Sequence, residues 1–185
     1  SREVGDVVSL RGVAPQLAGI SAEFIGAMAT WSQLLSQAPY SSMREAARAV
    51  GSPQIRNMGT LGGNIATASP AGDGLPVLSA LRASVHLAST RGLRVVTIGE
   101  FLVGPKAHDG ATDEVIVGVE VPKGAEANPQ SFMKIGRRGA MVISQVSACA
   151  VLWEDELRLA FGSVGPTVIE VTLGADSIDR LRRRA

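Results

Sequence analysis

Ile55-Arg56-Asn57-Met58-Gly59-Thr60-Leu61-Gly62-Gly63-Asn64-Ile65-Ala66-Thr67-Ala68-Ser69-Pro70-Ala71-Gly72-Asp73 carries more chemistry than any other stretch of this sequence. Three of its glycines, Gly59, Gly62 and Gly63, fall within five residues. Glycine accepts positive φ and lets a backbone approach a ligand closely. Successive N–H groups in such a turn can converge on an anion. Thr60 adds a hydroxyl and Asn64 an amide. Asp73 adds a carboxylate that accepts from ribose hydroxyls or caps the following helix. The apolar residues Ile55, Met58, Leu61 and Ile65 recur at intervals, which a Gly/Ser spacer lacks. A structured loop is therefore expected over 55–73. It is not a Walker loop, because no Gly-Lys-Ser/Thr follows. It is not a Rossmann fingerprint either, because the glycine spacing differs and no strand leads tightly into a helix. Composition alone leaves a phosphate-bearing ligand and a simple chain reversal equally open.

Outward from this loop the pattern divides in two. Upstream, residues 22–29 suggest a strand. A helix follows over 30–37 with Trp31, Leu34 and Leu35 on one face. A second helix is expected from Ser42, where Ser42 and Glu45 have capping-box spacing and Gly51 is placed to end it. Downstream, Asp73 is expected to cap a short helix through residue 81, since Pro76 is tolerated in a first turn. Strands then dominate: 84–89 and 93–97 around Thr90-Arg91-Gly92, 114–121 up to Pro122, 131–136, and 144–153 with 156–162 around Glu154-Asp155. The fold class is α+β, with helices early and an antiparallel sheet later. The basic end, Arg180 to Arg184, is expected to be a solvated terminus.

The chain has 185 residues, of which 45% are hydrophobic and 19% charged, so a packed core is expected. A net charge of +1 gives no electrostatic case for nucleic acid or an anionic membrane surface. Cys149 is the single cysteine and excludes an intramolecular disulfide. Its setting, Val146-Ser147-Ala148-Cys149-Ala150-Val151, is that of a buried strand. With only His86 and His108 beside it, no common zinc or iron–sulfur site can be assembled, and no metal ligand is assigned. No window is apolar enough to span a membrane and no signal-peptide pattern opens the sequence, so a cytoplasmic location is expected.

The 55–73 segment resembles the second flavin-contacting segment of the FAD domain in the xanthine dehydrogenase and carbon monoxide dehydrogenase family of molybdenum hydroxylases. That pattern is an Ile-Arg-Asn-like lead, Gly-Thr/Ser-Ile/Leu-Gly-Gly-Asn, Ala-Ser-Pro and an Asp, and each element stands here in order. Further stretches resemble the same family: Val8-Ser9-Leu10-Arg11-Gly12-Val13, Ile25-Gly26-Ala27-Met28-Ala29-Thr30-Trp31, Glu100-Phe101-Leu102-Val103-Gly104-Pro105, Asp113-Glu114-Val115-Ile116 and Ser131-Phe132-Met133-Lys134. The region from Arg137 to Val151 is similar to the start of the family's C-terminal subdomain.

The resemblance implies an FAD-binding domain of the vanillyl-alcohol-oxidase-like type over residues 1–127 and part of a C-terminal subdomain over 128–185. It implies that Thr60, Leu61, Gly62, Gly63 and Asn64 line the FAD, partly through backbone N–H groups near the diphosphate or ring. It implies that Asp73 meets the ribityl or ribose part, that Ile116 packs on the flavin system, and that Lys134 sits near flavin or phosphate as a cation. No catalytic acid, base or nucleophile is implied, and neither histidine matches a functional position. The implied role is an oxidoreductase subunit that passes electrons from [2Fe–2S] clusters through FAD to an acceptor. The implied partners are a molybdopterin-binding large subunit and a [2Fe–2S] small subunit. Nothing before Val8 resembles the family's first FAD segment, so weak FAD binding, or none, is expected of this chain alone. The alternative is an FAD-free structural or assembly module, with a homodimer possible for the isolated chain.

Overall fold

The computed structural model describes residues 9–137 and 143–183. One helical turn, α1 (Leu10–Val13), and a 3₁₀ turn (Pro15–Ala18) precede the short strand β1 (Phe24–Gly26). Five helices follow: α2 (Trp31–Gln37), α3 (Ser41–Ala49), α4 (Pro53–Met58), α5 (Leu61–Thr67) and α6 (Gly74–Ala80). The hairpin β2 (Ser84–Ser89) and β3 (Gly92–Thr97) leads through α7 (Ile98–Phe101) into a small ribbon, β4 (Leu102–Gly104) and β5 (Ala107–His108). Then come β6 (Val115–Glu120), β7 (Gln130–Ile135), β8 (Val146–Trp153), β9 (Glu156–Gly162), β10 (Ile169–Gly174) and α8 (Ala175–Arg182). Two four-stranded sheets result, ordered β1-β6-β2-β3 and β10-β9-β8-β7, with antiparallel pairing throughout.

Helix α6 explains how the layers join. Every residue from Gly74 to Ala80 is buried. A helix that is almost wholly apolar must be enclosed on all sides, and its one hydroxyl, Ser79 Oγ, is satisfied by donating to Glu170 Oε1. It packs on β8 and β9 of the second sheet and on α3, α5 and α7. A single hydrophobic cluster therefore runs from Ile25 and Val85 through Leu75 and Leu78 to Cys149 and Ala160. Cys149 is fully buried and desolvation raises its thiol to about 12, so it is an inert core residue.

The α+β class and the order of elements agree with the sequence reading, and several local expectations are corrected. Residues 55–73 are largely helical rather than a loop. Ser52 caps α4, with Pro53 in its first turn, and Thr60 caps α5 by accepting from Gly63 N. Two correctly placed caps outweigh the low helix propensity of the glycines. Ser42 and Glu45 form no capping box. Helix α3 starts after Tyr40, Ser42 Oγ donates to Gln130 Oε1 at 2.6 Å, and Glu45 accepts from Phe132 N at 2.6 Å. Both side chains join α3 to β7 instead of closing their own helix. Asp73 occupies the N-cap position of α6 without capping it. Residues 10–13 form a helix, and Val8 lies outside the described residues, as do 138–142 and the last two positions. The strand expected over 22–29 is confined to Phe24–Gly26. Strand β10 and helix α8 had no counterpart in the sequence reading.

Candidate functional site

A groove of about 400 Å³ opens beside the N-terminal half of α5. Thr60, Gly62, Gly63 and Ala66 form one wall, Ala27 and Met28 the floor, and Leu87, Val115 and Ile116 the sheet side. Phe101, His108, Gly110, Ala111 and Glu114 close the far end. The volume lies within the range of small-molecule sites, roughly 300–1,000 Å³.

Close backbone contact builds the wall. Leu61 N donates to Ala29 O at 2.9 Å and Gly62 N to Ala27 O at 2.8 Å. A Cβ on Gly62 would lie 2.7 Å from Ala27 Cβ and 2.9 Å from Ala27 O, so only glycine permits this approach. Gly63 is different: its Cβ would meet only Thr60 Oγ1, at 3.2 Å, and otherwise project into open space. Gly63 N donates to Thr60 Oγ1 at 3.1 Å and Asn64 N to Thr60 O at 3.1 Å. The four N–H groups expected to converge on a phosphate are thus all engaged within the protein. What remains for a ligand on this wall is the bare Cα surface of Gly63 and the Thr60 hydroxyl proton.

Four of the eight residues singled out from the sequence share the groove: Thr60, Gly62, Gly63 and Ile116. Leu61 is fully buried in the core. Asn64, Asp73 and Lys134 lie elsewhere, in a polar seam around residues 72–74: Asn64 packs on Gly72 and Gly74, and Lys134 of β7 reaches Asp73. Lys134 Nζ donates to Asp73 Oδ2 at 2.6 Å and to Ala49 O at 3.2 Å. Both side chains are about nine-tenths buried, at 11% and 7% exposure. Burial pushes the Asp73 carboxyl above its ordinary value, and the Lys134 ammonium opposes that shift. Asp73 Oδ1 and Asn64 Oδ1 are buried without a hydrogen-bond partner. The Asn64 amide lies against Gly72 and Gly74, where a Cβ would come within 3.0 Å and 2.7 Å of its Nδ2 and Oδ1. Two buried acceptors left open in one seam are places where something else can donate.

The sequence reading gave no ligand role to Ala27, Met28, Phe101, His108, Gly110 or Glu114. They come from four separate segments, so only the fold brings them together. Glu114 is held by Arg94, whose Nε and NH2 reach its two oxygens at 2.9 and 2.8 Å. Arg94, together with Ala111 N, holds the Glu114 carboxyl down at about 2. Among the described residues no three His, Cys, Asp or Glu side chains cluster as a metal site, and no helix is long and apolar enough to cross a membrane.

The profile of a family described as the FAD binding domain in molybdopterin dehydrogenase matches residues 2–124, two thirds of the sequence. The chain belongs to that family. Its relatives include the nicotinate dehydrogenase FAD-subunit of Eubacterium barkeri, 34% identical over 71% of this chain and 47% of the relative. The glyceraldehyde dehydrogenase medium chain of Sulfolobus acidocaldarius is 34% identical over 88% and 59%. Among solved structures, carbon monoxide dehydrogenase from Hydrogenophaga pseudoflava superposes with a TM-score of 0.77 at 29% identity, covering 84% of this chain and 58% of that one. Quinoline 2-oxidoreductase from Pseudomonas putida 86 gives 0.76 at 27% identity with the same coverage. The chain thus spans about half to three fifths of the length of these relatives.

FAD is the cofactor of this family, and the residues present fit part of it. The groove is mostly apolar with one hydroxyl, the open side of Gly63 leaves a cradle that a Cβ would fill, and the seam holds two orphaned acceptors suited to hydroxyl donors.

Proposed function

We propose that this chain is the FAD-binding part of an electron-transfer subunit in a molybdenum hydroxylase, relaying electrons from [2Fe–2S] clusters to an acceptor. The observation that carries this reading is the family match over residues 2–124, on a fold that opens a groove at the matching glycine segment. The partners would be a molybdopterin-binding large subunit and a [2Fe–2S] small subunit, in the cytoplasm. Residues 1–127 would form the cofactor-binding unit and 128–185 a second unit behind it. Nothing observed favours the alternative of an FAD-free module.

Bound FAD would supply the one- and two-electron chemistry, and the protein's part is binding and orientation. Thr60 donates its hydroxyl proton into the groove. Gly62 fixes α5 against residues 27–29, and Gly63 lets the ligand reach the backbone. Ile116 gives an apolar wall, and Leu61 anchors the helix from behind. Asn64 Oδ1 and Asp73 Oδ1 would accept from ribityl or ribose hydroxyls. Lys134 holds Asp73 in place and balances its charge.

The test is direct. The purified chain is incubated with excess FAD, passed through gel filtration and scanned in the visible. Saturable FAD binding in a titration of the folded protein is the expected result, with flavin retained only in part through the column. A colourless folded protein whose FAD titration is also silent overturns the reading for this chain.

A further inference from the structure

The far end of the groove holds an aromatic pair. The rings of Phe101 and His108 stack with centroids 5.1 Å apart and planes within 6° of parallel. Phe101 is fully buried, whereas His108 is exposed toward the groove that it lines. Several contacts fix the imidazole. Its residue pairs with Leu102 in the β4–β5 ribbon, and Asp109 N donates to Phe101 O at 2.9 Å. Arg94 grips Asp109 through both its carboxylate, at 2.7 Å, and its carbonyl, at 2.8 Å. Gly110 N donates to His108 Nδ1 at 3.1 Å.

That last bond decides the chemistry. A backbone N–H can only donate, so Nδ1 is an acceptor and carries no proton. The neutral ring therefore bears its proton on Nε2. No group among the described residues accepts from Nε2. The result is a donor on a ring locked by stacking on one side and by the backbone on the other.

Resting on the FAD reading above, we infer that His108 binds the dinucleotide, its Nε2–H donating to a nitrogen or carbonyl acceptor of a planar heteroaromatic ring. A ring suits this end better than a phosphate. The groove that His108 lines is also lined by Leu87, Val115 and Ile116 and contains no lysine or arginine. Its one carboxylate, Glu114, is already paired with Arg94, so this end offers a diphosphate no unpaired cation from its lining. Adenine and isoalloxazine share the required chemistry, and ligand fragments distinguish them.

The experiment titrates the chain with FAD, FMN and ADP by calorimetry, for the parent, His108→Phe and His108→Gln. Phenylalanine keeps the stack on Phe101 and removes both nitrogens, while glutamine offers an amide donor. His108→Phe is expected to weaken FAD about tenfold at an unchanged melting temperature, with partial recovery in His108→Gln. A parallel loss for ADP alone places adenine beside His108, and one for FMN alone places the isoalloxazine there. A loss for FAD seen with neither fragment overturns the ring assignment. Unchanged FAD affinity in a folded His108→Phe protein overturns the role of His108 while leaving FAD binding intact. A parent that binds none of the three overturns the FAD reading and this inference together. Should His108→Phe fail to fold, ¹⁵N-histidine spectra of the parent decide: FAD must shift His108 Nε2 and leave His86 in place, and an unmoved His108 overturns the inference.

Discussion

Gly62 and Gly63 are neighbours with opposite jobs. Gly62 is buried against Ala27, and a methyl group there has no space. Gly62→Ala is expected to cost about 1–3 kcal/mol through overpacking, only partly offset by the better helix propensity of alanine. Gly63 faces the groove, so Gly63→Ala should leave stability within ~1 kcal/mol and weaken FAD instead. Urea unfolding and FAD titration of the two variants separate these roles, and equal effects of both variants on both measurements would contradict them. The sequence marked both glycines as significant for one shared reason, close approach to a ligand. It could not divide them, because Ala27 and Ala29, which absorb the N–H groups of Gly62 and Leu61, stand some thirty residues upstream. His108 was hidden for another reason: its partners Phe101 and Gly110 are near in sequence, but they meet it only through the β4–β5 ribbon, which the sequence did not reveal. A histidine in a polar loop carries no visible role until Phe101 and Gly110 are placed around it.

Among the elements, local hairpins were legible and the helical stretch was not. The β2–β3 and β8–β9 hairpins follow alternation and turn residues next to one another, so nearby sequence is enough. Helices α4 and α5 are short, stand beside or contain the glycines Gly59, Gly62 and Gly63, and start from caps that this glycine-rich setting obscures. The loop between β5 and β6 depends on a non-local clamp. Arg94 on β3 grips Glu114 with two nitrogens and Asp109 with two more contacts, while Arg91 pairs with Asp113. The clamp gives a definite pH dependence. The Glu114 carboxyl sits at about 2 in the folded chain against an ordinary 4.5. A depressed carboxylate stabilises the fold fully above its unfolded value, and that contribution is lost as pH falls through the folded one. Stability should therefore decline from about pH 4.5 toward pH 2 as the unfolded chain binds the extra proton. Glu114→Gln should be less stable at neutral pH and respond less across that acid window. Chemical denaturation at stepped pH measures both slopes, and parallel curves for parent and variant would remove Glu114 as the cause.

At the scale of the whole molecule, the two sheets are joined by one core and by a polar seam through it. Phe132, Cys149, Val151 and Ala160 of the second sheet belong to the same hydrophobic cluster as Ile25, Leu78 and Val85. The seam adds Ser41 and Ser42 bonded to Gln130, Glu45 to Ser131 and Phe132, and the Lys134–Asp73 pair. The sequence showed Asp73 and Lys134 as two separate polar residues, because their pairing spans 61 positions. Two consequences follow from so buried a pair. Unfolding should be a single transition for both halves, since neither sheet has a core of its own to retain. Removing one partner should be severe, because it strands a charge or an amide in the interior. Asp73→Asn leaves the Lys134 ammonium without its counter-ion, and Lys134→Met leaves the Asp73 carboxylate, already raised by desolvation, without the one cation that pairs with it among the described residues. Each single change is expected to cost about 3–5 kcal/mol. The double variant Asp73→Asn/Lys134→Met strands neither charge, so its loss should fall well short of the sum. Urea melts of the four proteins close this cycle. Strictly additive losses would mean that the pair acts as two independent groups, and a resolved intermediate in the parent would mean that the second sheet folds apart from the first.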